Sequence, residues 1–365
     1  MYSKVGAATV PGNFFRMLTV QDRVSSNKVE IGAVSGARGF ALMAGAYVVV
    51  CAFVLGCGGA VLANRAVSPV SESWRSAPPM LHARSAHAVA STSDAIYAIG
   101  GTGAGGAPVL PVERFDGNRW IDETSLPGEG LNAPAAVAIG PRLYLIGGFK
   151  TVSNVPTAEV LVYDLASHMW SNAAPLPAPR GGHAAVALAG KIHVIGGGNS
   201  QSTLADHSEF DPASNMWIAR APLPRSEGSP AAVAFNGRLY AIGGRSGGSD
   251  FGNVYVYDPA TDRWGDAPPI EPRGTAGAAL YCGSIYVFGG ESQAKNAVLS
   301  DVLRLESTST AWQTALPMPT ARNYARAAVL GNSVYLIGGN PVVATSHSAA
   351  GSTLVERFDA SCRTG

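Results

Sequence analysis

Apolar residues in this chain come in short bursts, with no stretch of helical spacing long enough to set a fold. Runs such as IYVFGG (285–290) are apolar on both faces, as a strand buried on both sides must be. Runs such as NVYVYD (253–258) alternate apolar with polar, as a half-buried strand does. Asn-Gly, Asp-Pro and Ser-Asn pairs stand between the runs as turn chemistry. Four strands recur in a fixed order: a small apolar one, as in HAAVALA (183–189); a doubly buried one ending in paired glycines; an alternating one; and one that carries a tryptophan.

The recurrence is strict. Paired glycines begin at Gly100, Gly147, Gly196, Gly243, Gly289 and Gly338, at steps of 46 to 49 residues. All six tryptophans (Trp74, Trp120, Trp170, Trp217, Trp264, Trp312) hold one slot, the last five lying 20 to 23 residues after a glycine pair. Six residues before Trp stands an acid in four copies, Asp164, Asp211, Asp258 and Glu306. A period in this range marks a repeat architecture. One four-stranded sheet cannot bury both its faces, so such units stack around an axis, which predicts an all-β, six-bladed β-propeller. The paired glycines suit a strand that turns sharply next to the axis. The last unit stops after three strands at VERFD (355–359), whereas Trp74 precedes every glycine pair. An N-terminal strand around Trp74 is therefore expected to complete the last blade and remove the free edges.

The double glycine, the Tyr three residues before it, the spaced Trp and the phrase VYDP…T…W (256–264) resemble the kelch repeat over about 71–363. The resemblance implies the propeller fold and leaves function open, because this fold carries many activities. The expected organisation is a basic N-terminal segment (1–39), a hydrophobic anchor or signal segment (40–63), a linker (64–70) and the propeller (71–365).

Residues 40–63 carry no charge. Their length fits a membrane span, which with the basic side cytoplasmic would export the propeller. A cleaved signal after VLA (61–63) is a second reading. The third is a lipoprotein signal, since VLGC (54–57) resembles a lipobox with Cys57 as the lipidated residue. All three place the propeller outside the cytoplasm, and a monomer is expected.

The net charge of the whole chain is +1, with 14% charged residues. No polybasic run offers itself to nucleic acid, whose backbone wants a basic face. Of the four cysteines, Cys51 and Cys57 lie in the apolar segment. Cys282 and Cys362 are expected at different distances from the axis, too far apart for a disulfide. No Cys/His cluster calls for a metal, and no cofactor is expected.

Sixteen residues before each glycine pair stand Arg84, Leu131, Arg180, Glu227, Arg273 and Arg322. Equivalent blades would gather these six into a ring at one mouth of the central channel. His87 and His183 follow three residues on, and the loops after the glycine pairs add Lys150, Asn199, Arg245, Glu291 and Asn340. Such a face could hold an acidic peptide or a sugar acid by guanidinium forks. The same arginines could instead tie blade to blade, since a residue repeated in four units favours architecture. The resulting expectation is a protein- or carbohydrate-binding scaffold, with Arg84, Arg180, Glu227, Arg273, Arg322, Lys150, Arg245 and Glu291 as binding candidates. The alternative is enzymatic. GTAGAAL (274–280) with GGE (289–291) resembles one blade of the bacterial sialic acid mutarotases, which implies a proton-transfer role for Glu291. That family uses an Arg shortly after its Glu, where this chain has Lys295 in SQAKNAVLSD (292–301). Copper radical chemistry of the galactose oxidase kind has no suitably placed cysteine.

Overall fold

The computed structural model describes residues 71–343 and 351–362, so the apolar segment 40–63 lies outside the described residues. Among the described residues there are six four-stranded antiparallel sheets and no α-helix, only a 3-10 turn at Ala104–Gly106. The innermost strands are Ala88–Ser91, Ala135–Ile139, Ala184–Leu188, Ala231–Phe235, Gly277–Tyr281 and Arg326–Leu330. In the sixth sheet Arg326–Leu330 pairs with Ser333–Ile337, then Val355–Ala360, and Glu72–Ser76 takes the outer edge. Trp74 stands opposite Phe358 in that last pairing.

The apolar core lies between blades. Tyr97 of blade one packs with Leu143 and Tyr163 of blade two, and Trp74 and Phe358 of blade six pack on Phe288 of blade five. The tryptophan register has a polar reason as well. The indole N–H of Trp217 donates to Ala174 O in the preceding blade, Trp264 to Ala221 O, Trp312 to Pro268 O, Trp74 to Leu316 O and Trp120 to Pro78 O, at 2.7–3.0 Å. Each of these five tryptophans thus fills the space between blades and pairs one carbonyl there. In Trp170 the indole nitrogen is buried without such a partner. The acids before the tryptophans shape turns: Asp164, Asp211 and Asp258 each accept a backbone N–H two residues on.

The paired glycines are the joints of the ring. The second glycine of each pair donates its N–H to the carbonyl of the next blade's first inner residue, as Gly290 does to Arg322 O at 3.0 Å and Gly339 to Arg84 O at 3.0 Å. Gly290 has φ of 96°, and a Cβ there would sit 2.6 Å from Gly274 O. Only glycine satisfies both the angle and the approach.

A second ring of joints carries no glycine signature. Ala86, Ala133, Gly182, Ser229, Thr275 and Tyr324 hold equivalent positions and all have φ between 49° and 61°. The N–H of each of the last five donates to the carbonyl of its counterpart one blade earlier, at 2.6–3.3 Å. The chain accepts an uncommon backbone conformation, unfavourable for a β-branched Thr or a Tyr, so that neighbouring blades share a hydrogen bond around the axis.

The two propeller cysteines correct the expectation drawn from the sequence. Cys282 and Cys362 form a disulfide with a Cα separation of 4.7 Å. The Tyr281 hydroxyl donates to Asn332 O and accepts from Ala360 N–H, at 2.6 and 3.2 Å. This draws the end of the blade-six strand over the turn of blade five. Radial position within a blade was the wrong measure, because Cys362 has already left its strand.

Candidate functional site

The six residues predicted to ring the channel mouth are buried inside the blades. Arg84 donates through Nη1 to Gly100 O and through Nε and Nη2 to Glu113, with both side chains fully buried. Arg180 reaches Gly196 O, Arg273 reaches Gly289 O and Asp301, and Arg322 reaches Gly338 O and Glu356. In each case the guanidinium holds the carbonyl of the first glycine of its own blade. Burial lowers the pKa of Arg84, Arg180 and Arg322, and the neighbouring acid partly offsets it. The ring of cations at the mouth is therefore not formed; these forks are occupied by the fold.

Glu227 takes the same slot in blade four and cannot play that part. It is fully buried, and neither carboxylate oxygen has a hydrogen-bond partner among the described residues. Burial pushes its pKa up to about 8, against a small opposing effect of Arg225. The carboxyl is thus largely protonated at neutral pH. Leu131 fills the slot in blade two, also buried.

His87 and His183 pack between blades and do not face a mouth. The Cε1 atom of each lies against the preceding blade, at Gly338 and Gly147 respectively. Burial, followed by nearby arginines, holds His87 well below the usual imidazole range and His183 down to about 3. Neither ring makes a hydrogen bond to a described residue.

One group of candidates does come together. Arg245 Nη1 lies 2.6 Å from Glu291 Oε1, and its Nη2 lies 3.0 Å from Asp250 Oδ1. The guanidinium rests on Gly274, where a Cβ would collide with it at 2.4 Å. The Asn323 side-chain amide donates to Glu291 and to Val342 O. Asp250 Oδ2 in turn accepts the N–H of Gln293 at 2.5 Å. Charge thus runs through the loops of blades four, five and six: Arg245 and Asp250, then Glu291, then Asn323. Burial lowers the Arg245 pKa, but Tyr324, Glu291 and Asp250 together outweigh it and the pKa is raised overall. Burial, above all, pushes the Tyr324 phenol well up. Asp250, Asn323 and Tyr324 had not been singled out from the sequence. The usable signal was that positions just after a glycine pair in adjacent repeats must be neighbours.

The remaining candidates stand apart. Lys150 pairs loosely with Glu159 at 3.6 Å, and Asn199 caps its own turn by accepting the N–H groups of Gln201 and Ser202. Asn340 is buried and accepts Val342 N–H. Lys295, at the position where the mutarotase pattern has an Arg nearby, pairs with Glu271 and does not approach Glu291 by any recorded contact. No group of three or more potential metal ligands occurs among the described residues.

Ala86, Ala133 and Tyr324 form a small apolar cluster on the ring of left-handed residues, with Phe149 packed against it. The loops and strand ends of the same face carry the exposed apolar side chains Leu81, Val152, Val155, Leu316 and Val342; Val152 is 72% exposed and Val342 61%.

Known proteins match this architecture. The family model for the KLHDC2/KLHL20/DRC7 Kelch-repeats domain matches residues 133–339. Kelch-like protein 35 of Mus musculus is 32% identical over 132 residues, 35% of this chain and 21% of that protein. Alpha-scruin of Limulus polyphemus is 35% identical over 132 residues, 35% and 14% of the two chains. Kelch-like protein terF of Aspergillus terreus is 27% identical over 296 residues, 74% and 54%. The chain thus spans about a fifth of the length of kelch-like protein 35. The solved structure of YjhT superposes with a TM-score of 0.66 at 17% identity, covering 76% of this chain and 95% of that one. Six glycine-hinged blades, a stapling tryptophan in each and a family model over most of the propeller agree that this chain belongs to the kelch-repeat family.

Proposed function

We propose that this protein is an exported, membrane-attached kelch propeller that holds a protein partner on the face bearing the loops after the paired glycines. One observation carries the reading: the inner-slot arginines are occupied inside the blades, whereas the loops of that face present exposed apolar side chains such as Val152 and Val342. Loop-bearing surfaces on a rigid scaffold suit recognition of a macromolecule. Export is supported by the Cys282–Cys362 disulfide, which persists in an oxidising compartment, and by the uncharged segment 40–63. The reading includes ring closure by the Glu72–Ser76 strand, for which its pairing with Val355–Ala360 is the support.

The test is photo-cross-linking from single positions of the full chain in the cells that make it. A photoreactive residue at Val152 or Val342 is expected to give one discrete adduct, and one at Leu280, at the other end of an inner strand, none. Equal labelling from both ends, or none from either, would refute the docking face.

A second reading has a specific observation behind it. Glu291 meets a basic group, Arg245, the stretches GTAGAAL (274–280) and GGE (289–291) resemble the sialic acid mutarotases, and the solved structure of YjhT shares the fold. Proton exchange at an anomeric hydroxyl would require Glu291, fully buried here, to exchange its partners for the sugar. If sialic acid anomers equilibrate faster with this protein and Glu291→Gln abolishes the effect, the enzyme reading replaces the scaffold. Uncatalysed exchange rates eliminate it.

A further inference from the structure

Arg326 opens the innermost strand of blade six at a slot filled elsewhere by Ala88, Ala135, Ala184, Ala231 and Gly277. Five blades keep the slot small, and one fills it with the bulkiest cation available. The residue faces a cavity of about 120 Å³ on the axis, walled by the inner strands of all six blades. Its Nε donates to His87 O at 2.8 Å. No carboxylate pairs with it among the described residues, and its electrostatic neighbour is the Tyr324 phenol. Arg84, Arg180, Arg273 and Arg322 each have an acid within 3.6 Å, so Arg326 departs from the practice of this protein.

We propose that the central channel is a binding site for a small carboxylate, of formate or acetate size, held by the two terminal nitrogens of Arg326. Arg326 is part-buried in the channel wall, and a cation confined there without a counter-ion favours an anion from solution. With Nε engaged at His87 O, the Nη1/Nη2 fork remains to grip two oxygens side by side. Each inner strand is hydrogen-bonded on one side only within its sheet, so backbone groups on its other edge also face the axis. The volume is well below the roughly 300–1,000 Å³ of ordinary ligand pockets, so it suits a small anion better than a sugar. The proposal rests on neither the docking face nor the Arg245–Glu291 cluster, although Tyr324 neighbours both Arg326 and Arg245 electrostatically.

The experiment is thermal unfolding of the full chain in graded sodium formate or sodium chloride, with ionic strength held constant by gluconate. The proposal predicts a saturable rise in melting temperature with formate, at several-fold lower concentration than with chloride, that Arg326→Ala eliminates. Arg326→Lys keeps the charge without the fork, and should equalise formate and chloride. That comparison decides the matter if the alanine variant does not fold. Absence of a formate response in the parent protein overturns the site, as does an equal response to chloride or a response that survives Arg326→Ala.

Discussion

Blades one and four give opposite answers at the same slot. In blade one Arg84 holds the Gly100 carbonyl and the buried Glu113. In blade four Glu227 stands there with no partner for its oxygens, and Asn253 occupies the region where blade three has Asp206 and blade five Asp301. The slot therefore does not demand positive charge as such. It demands that nothing charged be left unpaired, and the protein meets this with a guanidinium–carboxylate pair in one blade and a retained proton in another.

The largest effect should come from breaking the paired version. Arg84→Met leaves Glu113 buried without its cation and should cost about 3–5 kcal/mol in denaturant unfolding. Leu131→Met in blade two, where no pair exists, should stay below about 1.5 kcal/mol. Next is the protonated version. The pKa of Glu227 is raised in the folded state from 4.5 to about 8, so between those values the folded protein holds a proton that the unfolded chain has released. Its contribution is complete below the unfolded value and declines as pH rises toward 8, at about 1.4 kcal/mol per unit. Glu227→Gln should therefore match the parent near pH 4.5 and exceed it by a few kcal/mol at pH 8. Parallel stability curves for the two proteins would contradict the protonated carboxyl. Reduction of Cys282–Cys362 comes third, with an expected loss of about 2–4 kcal/mol.

The smallest effect concerns the tryptophan staples, which show the same contrast between a satisfied and an unsatisfied group. Trp264→Phe removes the 2.8 Å hydrogen bond to Ala221 O and leaves that carbonyl only the longer contact with His207 Nδ1 at 3.3 Å. Trp170→Phe removes a buried N–H that has no partner. The first should cost about 1 kcal/mol more than the second. A cost at Trp170 equal to that at Trp264 would mean that packing alone fixes the register.

What could be read from the sequence was whatever the repeat stamps on every copy. Blade number, the tryptophan slot and the glycine joints are all present six times. The second ring of joints was hidden because Ala86, Ala133, Ser229, Thr275 and Tyr324 are not residues that announce a left-handed backbone. The repeated arginines were visible, but the direction of their side chains was not: spacing places Arg273 beside Gly289 without saying that it points at Gly289 O. Arg245 and Glu291 lie one repeat apart in the chain and touch, a contact that repeat alignment could have found. The disulfide depended on where the chain goes after its last regular strand, which no periodicity encodes.

The central claim is that the inner arginines serve architecture and the loop face serves recognition. The most direct test measures both in one protein, by photo-cross-linking from position 342 in the Arg273→Met background beside its melting temperature. The account predicts a lower melting temperature with the adduct retained in full at temperatures where the variant is folded. Loss of the adduct from a variant that melts like its parent would place Arg273 in the binding site and contradict the account.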